Sequence, residues 1–573
     1  VRVTAEEIRF LETFGYLLVR GALATGIERI EDAFEERIAA LGGAAYRGQH
    51  RFTVDPGVNG SRALCEAVLD DEGLDALAAS LLGADYQYVN SDLNLCGGDT
   101  PWHSDAPADA AGRYAGWYKL LVYLDPLERG TGALRVIPGS HRRSDRYAAD
   151  VQGAIVNRAA GALADPAETW GVAPEELPAV ALATRPGDVI VLDYRVAHAS
   201  FGGPGRRRLL TVWLARRLAA QDRGLVSRVF GGRRFTRGEL FGDAEMPAPI
   251  LDGAPASRLV HLQELLASFP EPQPDSPLTR FLESGTRGHE TGPRAEAAAL
   301  TGRPDLRFAG TFGYLKLPGI LADGFAEVER VFEELLGSGG DGLRTGAYGV
   351  TLSPGVNRSE ALCRLVLDDP RVARVLDALV GEDWQYWNSA LSRNEGDTPW
   401  HFEAPPVEWT VYAGWFKLLF YLDPLDGGTG ALRAIPGSNH WNDSYAGDVR
   451  HGLMNESGTA PIDPRAAWGV AGPEVPAVAL DSRPGDAIAL SYLTAHASFG
   501  GRTRRLLSLV FAPRSARSEA PRYRGLTRRD VFGEENAPFP LIATATPERR
   551  RHLERLLEHT SEDPSPLARF LAR

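Results

Sequence analysis

The sequence predicts an α+β protein made of two tandem jelly-roll domains, each backed by helices. Three observations predict it. First, the 573-residue chain repeats itself: Thr13-Phe14-Gly15-Tyr16 returns as Thr311-Phe312-Gly313-Tyr314, an offset of 298. The same offset carries Thr100-Pro101-Trp102-His103 onto Thr398-Pro399-Trp400-His401, and His198-Ala199-Ser200-Phe201-Gly202-Gly203 onto His496-Ala497-Ser498-Phe499-Gly500-Gly501. Such a period is the size of a domain, not of a solenoid repeat. Second, helical periodicity opens each copy and short strands follow, the order of helices laid against an antiparallel sandwich. Third, 44% hydrophobic and 24% charged residues describe a chain that buries ordinary cores.

The elements follow in order. Thr4-Ala5-Glu6-Glu7 forms a capping box and Gly15 supplies a helix end. Tyr16-Leu17-Leu18-Val19 reads as a strand. Ile27, Ile30, Phe34, Ile38 and Leu41 recur at spacings of three and four, one apolar helix face that Gly42-Gly43 ends. A further helical region covers roughly Ser61 to Leu82. Aromatic and β-branched strands then run over Tyr86–Leu95, Gly116–Leu124, Ala133–Ile137, Val189–Tyr194 and Leu209–Leu214. Pro138-Gly139-Ser140 and Arg185-Pro186-Gly187-Asp188 are turns between them. The repeat divides the chain into a first domain over 1–284, a linker over 285–298 and a second domain over 299–573. The tails match too, Pro277–Leu282 against Pro566–Leu571, and the two copies are expected to pack as a pseudo-dimer within one chain.

Charge and composition exclude several classes. A net charge of −13 disfavours a nucleic-acid partner, which needs a clustered basic face. No apolar run reaches bilayer length, and Val1-Arg2-Val3-Thr4-Ala5-Glu6-Glu7 does not read as a signal peptide. The expectation is a cytoplasmic protein with no membrane partner. Three cysteines cannot build a disulfide framework. Cys65 and Cys363 are matched within apolar helical stretches and read as small buried hydrophobes, whereas Cys96 faces Asn394 in the other copy.

The chemistry lies in a recurring constellation. His103 and Asp105 stand at i and i+2, which on an extended strand puts both side chains on one face. His198 follows His103 by 95 residues, and His401, Glu403 and His496 repeat the set at the same separation. Two imidazoles and one carboxylate with open positions form the facial triad of non-haem Fe(II) oxygenases. Only 12 histidines occur in the chain, so the matched spacing is specific. The other matched pair, His261 and His552, sits in helical settings that favour packing, and His141 faces Asn439. Lysine is scarce, three against 59 arginines, yet Lys119 and Lys417 are matched inside apolar strands. Each must find an anion, reach solvent or lose its charge. A co-substrate or substrate carboxylate and a structural salt bridge are both open. Trp102, Trp400, Trp117 and Trp415 read as core.

The run Leu124-Asp125-Pro126, then Gly132-Ala133-Leu134-Arg135-Val136-Ile137-Pro138-Gly139-Ser140-His141, resembles the phytanoyl-CoA dioxygenase family. Pro186-Gly187-Asp188 followed by His198-Ala199-Ser200 and an arginine does so too, and the resemblance covers most of both halves. It implies a cupin-like double-stranded β-helix core, Fe(II) held by the triads, and 2-oxoglutarate and dioxygen as co-substrates. It also implies an arginine about ten residues after the distal histidine for the distal carboxylate of the keto acid; Arg207 and Arg504 fit best. Strand alternation turns only one of Arg207 and Arg208 inward, which leaves the other on a solvated edge. Ser200 and Ser498 stand where relatives bond the same carboxylate, and Asn90 and Asn388 where relatives place an amide near the keto acid.

The expected activity is therefore hydroxylation of a small-molecule or natural-product substrate, with at least one active site, foremost in the first domain, and a second open to the His401-Glu403-His496 triad. Asp105 and Glu403 fill the coordination position that halogenating relatives leave open. A non-catalytic scaffold that has kept the fold, and a cupin-like metalloenzyme without keto acid, are the competing classes. The copies diverge most after the triad pair: Ala106 to Arg113 has little in common with Ala404 to Val411. Loops at a jelly-roll mouth commonly set substrate choice, which predicts different substrates or one catalytic and one supporting domain.

Overall fold

A computed structural model describes residues 2–41, 51–106, 112–155, 166–203, 205–218, 222, 225–226, 237–242, 246–269, 303–339, 342–346, 348–404, 406–455, 457–458, 460–514, 528–534 and 537–560. The chain divides into two compact units, Val1–Val136 with Ala181–Gly302 and Ile137–Val180 with Arg303–Arg573. The segment Ile137–Val180 of the first repeat thus groups with the second. The expected linker over 285–298 and both matched tails lie outside the described residues.

The first unit contains β1 (Tyr16–Val19), β2 (Arg51–Val54), β3 (Gln87–Cys96), β4 (Thr100–His103), β5 (Trp117–Tyr123), β6 (Leu134–Val136), β7 (Val180–Leu182), β8 (Val189–Asp193), β9 (His198–Ser200) and β10 (Arg207–Ala215). A six-stranded sheet runs β1-β8-β5-β10-β3-β2 and a four-stranded sheet runs β4-β9-β6-β7. The order interleaves strands far apart in sequence, which is the winding of a double-stranded β-helix. The second unit repeats it with β11 (Tyr314–Leu317), β12 (Leu343–Gly346), β13 (Gly349–Leu352), β14 (Gln385–Asn394), β15 (Thr398–His401), β16 (Phe416–Tyr421), β17 (Leu432–Ala434), β18 (Val478–Leu480), β19 (Ala487–Ser491), β20 (His496–Ser498) and β21 (Arg504–Ala512). Its sheets run β11-β19-β16-β21-β14-β13-β12 and β15-β20-β17-β18. The α+β, helix-backed jelly roll that the sequence predicts is present in both units.

Local chemistry sets the helices. Thr4 accepts from Glu7 N–H, the Glu7 carboxylate accepts from Thr4 N–H, and Gly15 closes the helix Ala5–Phe14 at φ 86°. The helix Ile27–Ala40 buries Ile30, Ala33, Phe34 and Ile38; Leu41, expected on that face, lies past its end and is exposed. The single helical region expected over Ser61–Leu82 is two pieces. A π-turn over Cys65–Leu69 ends at Asp70, and Asp71 caps a fresh helix over Glu72–Leu82. Asp70 is held by the buried Arg258, and the second unit repeats the break with Asp368 and Arg549. Cys65 and Cys363 are fully buried, and burial pushes each thiol up to about 12. His261 and His552 stack on Tyr86 and Trp384 with centroids 3.8 and 3.5 Å apart, a packing arrangement. The four tryptophans read as core, Trp102, Trp400, Trp117 and Trp415, are buried.

Candidate metal centre

β4 and β9 are neighbours in the smaller sheet, with Thr100 opposite Ser200 and His103 opposite His198. A separation of 95 residues therefore closes to a cross-strand pair, with ring centroids 4.2 Å apart. β4 ends at His103, so Asp105 does not lie on the extended strand that the spacing suggests. It follows in a bend anchored where Ala106 N–H donates to Tyr194 O at 3.0 Å. The bend brings Asp105 Oδ2 to 3.7 Å from His198 Nε2. One potential ligand atom from each of His103, Asp105 and His198 lies within 4.8 Å of the others. In the second unit His401 opposes His496, the rings are 4.1 Å apart, and Glu403 Oε1 is 3.6 Å from His496 Nε2. His401, Glu403 and His496 meet the same 4.8 Å limit, so the extra methylene of glutamate does not open the cluster.

The imidazoles are set by the backbone. Nδ1 of His103, His198, His401 and His496 lies 2.9–3.0 Å from the carbonyl two residues earlier, that of Pro101, Val196, Pro399 and Thr494. A carbonyl only accepts, so the proton sits on Nδ1 and the Nε2 lone pair is free to bind. Burial, reinforced by the neighbouring His103, pushes His198 down to about 3, and burial with His496 does the same to His401. Burial also lowers His103. Burial alone would raise the Asp105 carboxyl, but the Lys119 ammonium, then His198 and His103, outweigh it and hold it below the usual carboxylate range. Two neutral imidazoles and an ionised carboxylate form a donor set that fits ferrous iron.

The lysines find their anions at the triads. Lys119 Nζ donates to Asp105 Oδ2 at 3.0 Å, and Lys417 Nζ to Glu403 Oε1. The arginines separate by strand alternation. Arg208 is drawn to Asp125, Glu31 and Glu35, and Arg505 to Asp423, Glu329 and Glu333. Arg207 is 3% exposed and, among the described residues, donates only to the carbonyls of Gly98, at 2.6 Å, and Gly132. Arg504, equally buried, donates to the Gly396 and Arg502 carbonyls and to Thr398 Oγ1. Neither has a carboxylate partner among the described residues. A buried guanidinium without an anion is costly, which fits a bound carboxylate. Ser200 Oγ donates to Gly132 O at 2.6 Å, the carbonyl Arg207 also reaches, and Ser498 Oγ donates to Gly430 O. The Gly132 carbonyl thus joins serine to arginine in the first unit, a role sequence reading missed although Gly132 and Gly430 stand at matched positions.

Asn90 stands on β3 opposite Trp213, which opposes Lys119 on β5. Its Nδ2 donates to Asp55 Oδ1 at 3.0 Å. Asn388 meets Ser353 instead, and Lys417 opposes Val510. Trp213, Asp55 and Asp92 were not legible as neighbours of Asn90, because none of them recurs in the second copy.

The family model described as phytanoyl-CoA dioxygenase matches residues 11–209 and 340–506, well over half of the chain. No curated protein matches it. Among solved structures it is similar to EvdMO1, at 20% identity and a TM-score of 0.29, over 37% of this chain and 49%, about half, of that one. It is also similar to EctD from S. alaskensis with bound Fe, at 21% identity and a TM-score of 0.30, over 40% of this chain and 82% of that one. HygX from Streptomyces hygroscopicus, with nickel and 2-oxoglutarate bound, gives 16% identity and a TM-score of 0.29 over 38% and 89% of the two chains.

Proposed function

The chain belongs to the phytanoyl-CoA dioxygenase family, and from that premise we propose that it hydroxylates a small-molecule substrate with ferrous iron, 2-oxoglutarate and dioxygen, its first unit being the active one. His103, Asp105 and His198 would hold the metal in that unit, and His401, Glu403 and His496 in the second. Bound iron and keto acid together supply the oxidising power; the protein supplies orientation and charge. The backbone carbonyls at Pro101 and Val196 fix the imidazole tautomers. Lys119 holds the Asp105 carboxylate in place. Arg207 offers the distal carboxylate of the keto acid a buried cation, with Ser200 beside it, and Arg504 and Ser498 repeat the pair.

The observation that carries this reading is the convergence of two imidazoles and a carboxylate, each offering a ligand atom within 4.8 Å of the others, twice in one chain. Anaerobic titration with Fe(II) and 2-oxoglutarate tests it. The expected result is a metal-to-ligand charge-transfer band that His103→Ala diminishes, with succinate released in air. A chain that binds neither iron nor keto acid is instead a scaffold that has kept the fold. Turnover without succinate would point to a metalloenzyme that uses no keto acid.

A further inference from the structure

The two pockets differ in what their larger sheets turn toward the triad. Asn90 and Asp92 are two apart on β3 and share a face. They oppose Trp213 and Thr211 on β10, which oppose Lys119 and Leu121 on β5. Directly opposed residues point the same way, so Asn90 and Asp92 lie on the face from which Lys119 reaches Asp105. Asp55 can only accept, so its bond from Asn90 Nδ2 fixes the amide's orientation. That leaves Asn90 Oδ1 buried with no hydrogen-bond partner among the described residues, on a side chain 1% exposed. An unpaired buried acceptor costs stability unless a ligand completes it. Asp92 is buried beside it, accepting from Asn94 Nδ2. Arg51, at the exposed strand edge, is engaged by Asn94 Oδ1 at 2.8 Å.

The second unit lacks this surface. Ser353, Ala390 and Val510 replace Asp55, Asp92 and Trp213. Both ends of the Asn388 amide lie within 3.3–3.4 Å of Ser353 Oγ. A keto acid presents only acceptors on its carboxylates and carbonyl, so a bare Asn90 oxygen beside Asp92 does not complement it. The geometry points to a first-pocket substrate that offers a hydrogen-bond donor, an ammonium or a hydroxyl, to Asn90 Oδ1 and Asp92, a requirement absent from the second pocket. This assignment rests on the oxygenase reading of the same site and departs from the expectation that Asn90 meets the keto acid.

Saturation-transfer NMR tests it on the full chain carrying His401→Ala, with Zn(II) in place of iron and saturating 2-oxoglutarate. The probes are propylammonium, 1-propanol and propionate, which share a skeleton and differ in donor and charge. Propylammonium and 1-propanol should receive transfer at least fivefold above propionate, and Asp92→Ala should remove most of the difference. Asp92→Asn, close in shape and so a safeguard against misfolding, should lower propylammonium while sparing 1-propanol. Undiminished transfer in folded Asp92→Ala, or propionate equal to propylammonium, overturns the inference. Calorimetric binding of 2-oxoglutarate, measured first, separates the failures: its loss sinks the oxygenase reading, whereas its presence with unselective probes sinks this inference alone.

Discussion

At the scale of single residues, adjacent arginines have opposite fates. Arg207 is buried against carbonyls, while Arg208 is held by Asp125, Glu31 and Glu35. Arg207→Ala should weaken 2-oxoglutarate binding by at least about 30-fold, since it removes one partner of a buried charge pair. Arg208→Ala should leave that affinity unchanged and cost about 1 kcal/mol or less of stability. Calorimetry with keto acid and thermal melts read the two effects separately. Lys119 acts on Asp105 rather than on a ligand, so Lys119→Met should lower metal affinity about 10- to 100-fold while preserving the fold. Anaerobic metal titration beside circular dichroism checks it. Gly132 joins these roles, because at φ 94° a Cβ there would meet the Arg207 guanidinium at 1.9 Å. Lysine's scarcity and matched placement singled out Lys119 as a candidate for an anion, with a co-substrate carboxylate or a salt bridge open. Which anion it pairs with was not legible, because Asp105 reaches it only through the bend after β4.

At the scale of elements, turns and caps carry much of the specification. Asp188 accepts from Arg185 N–H, Gly21 N–H and the Arg20 guanidinium, closing the turn before β8 against the end of β1. Those bonds and Arg20 outweigh the effect of burial, which would raise the carboxyl, and hold it below its ordinary value. A lowered folded value stabilises above the ordinary carboxylate range near pH 4, and the gain is lost as pH falls through the folded value. Asp188→Asn should therefore melt lower than wild type at neutral pH, and the two melting curves should converge in acid. Within the second unit, Asp145 accepts from Tyr445 N–H at 2.8 Å at the start of the helix Ser444–Leu453. Asp443 accepts from Tyr147 N–H at 2.8 Å at the start of the helix Arg146–Ile155. Each helix is capped by the residue that precedes the other, and Tyr147 stacks on Tyr445 with centroids 5.6 Å apart. Asp145→Ala and Asp443→Ala should each cost about 1 kcal/mol in chemical denaturation. Turn residues located the turn at Arg185–Asp188, but nothing in the pattern showed this exchange of caps, which joins residues about 300 apart.

At the scale of the whole molecule, repeat and compact unit do not coincide. Ile137–Val180 belongs by sequence to the first repeat and by packing to the second unit. We propose that the halves bounded by 1–284 and 299–573 are not independent folding pieces. A chain carrying an engineered protease site within 285–298 should co-elute as one species after cleavage under native conditions. Separation into two folded halves would reverse that view. Among the described residues no helix is long and apolar enough to cross a membrane.

The sequence alone determined the tandem architecture, the helix-before-strand order and the three residues of each half that the structure brings together, and it narrowed the inward arginine to one of an adjacent pair. Those features are written in local pattern and in the repeat, so each half testified for the other. Tertiary structure alone decided the bend that carries Asp105 to the histidines, the pairing of Lys119 with it, the break after Cys65–Leu69, and the packing of Ile137–Val180 with the second repeat. The physical reason is range. Periodicity and spacing report which face a side chain takes along its own element, whereas these contacts depend on where two distant backbones meet.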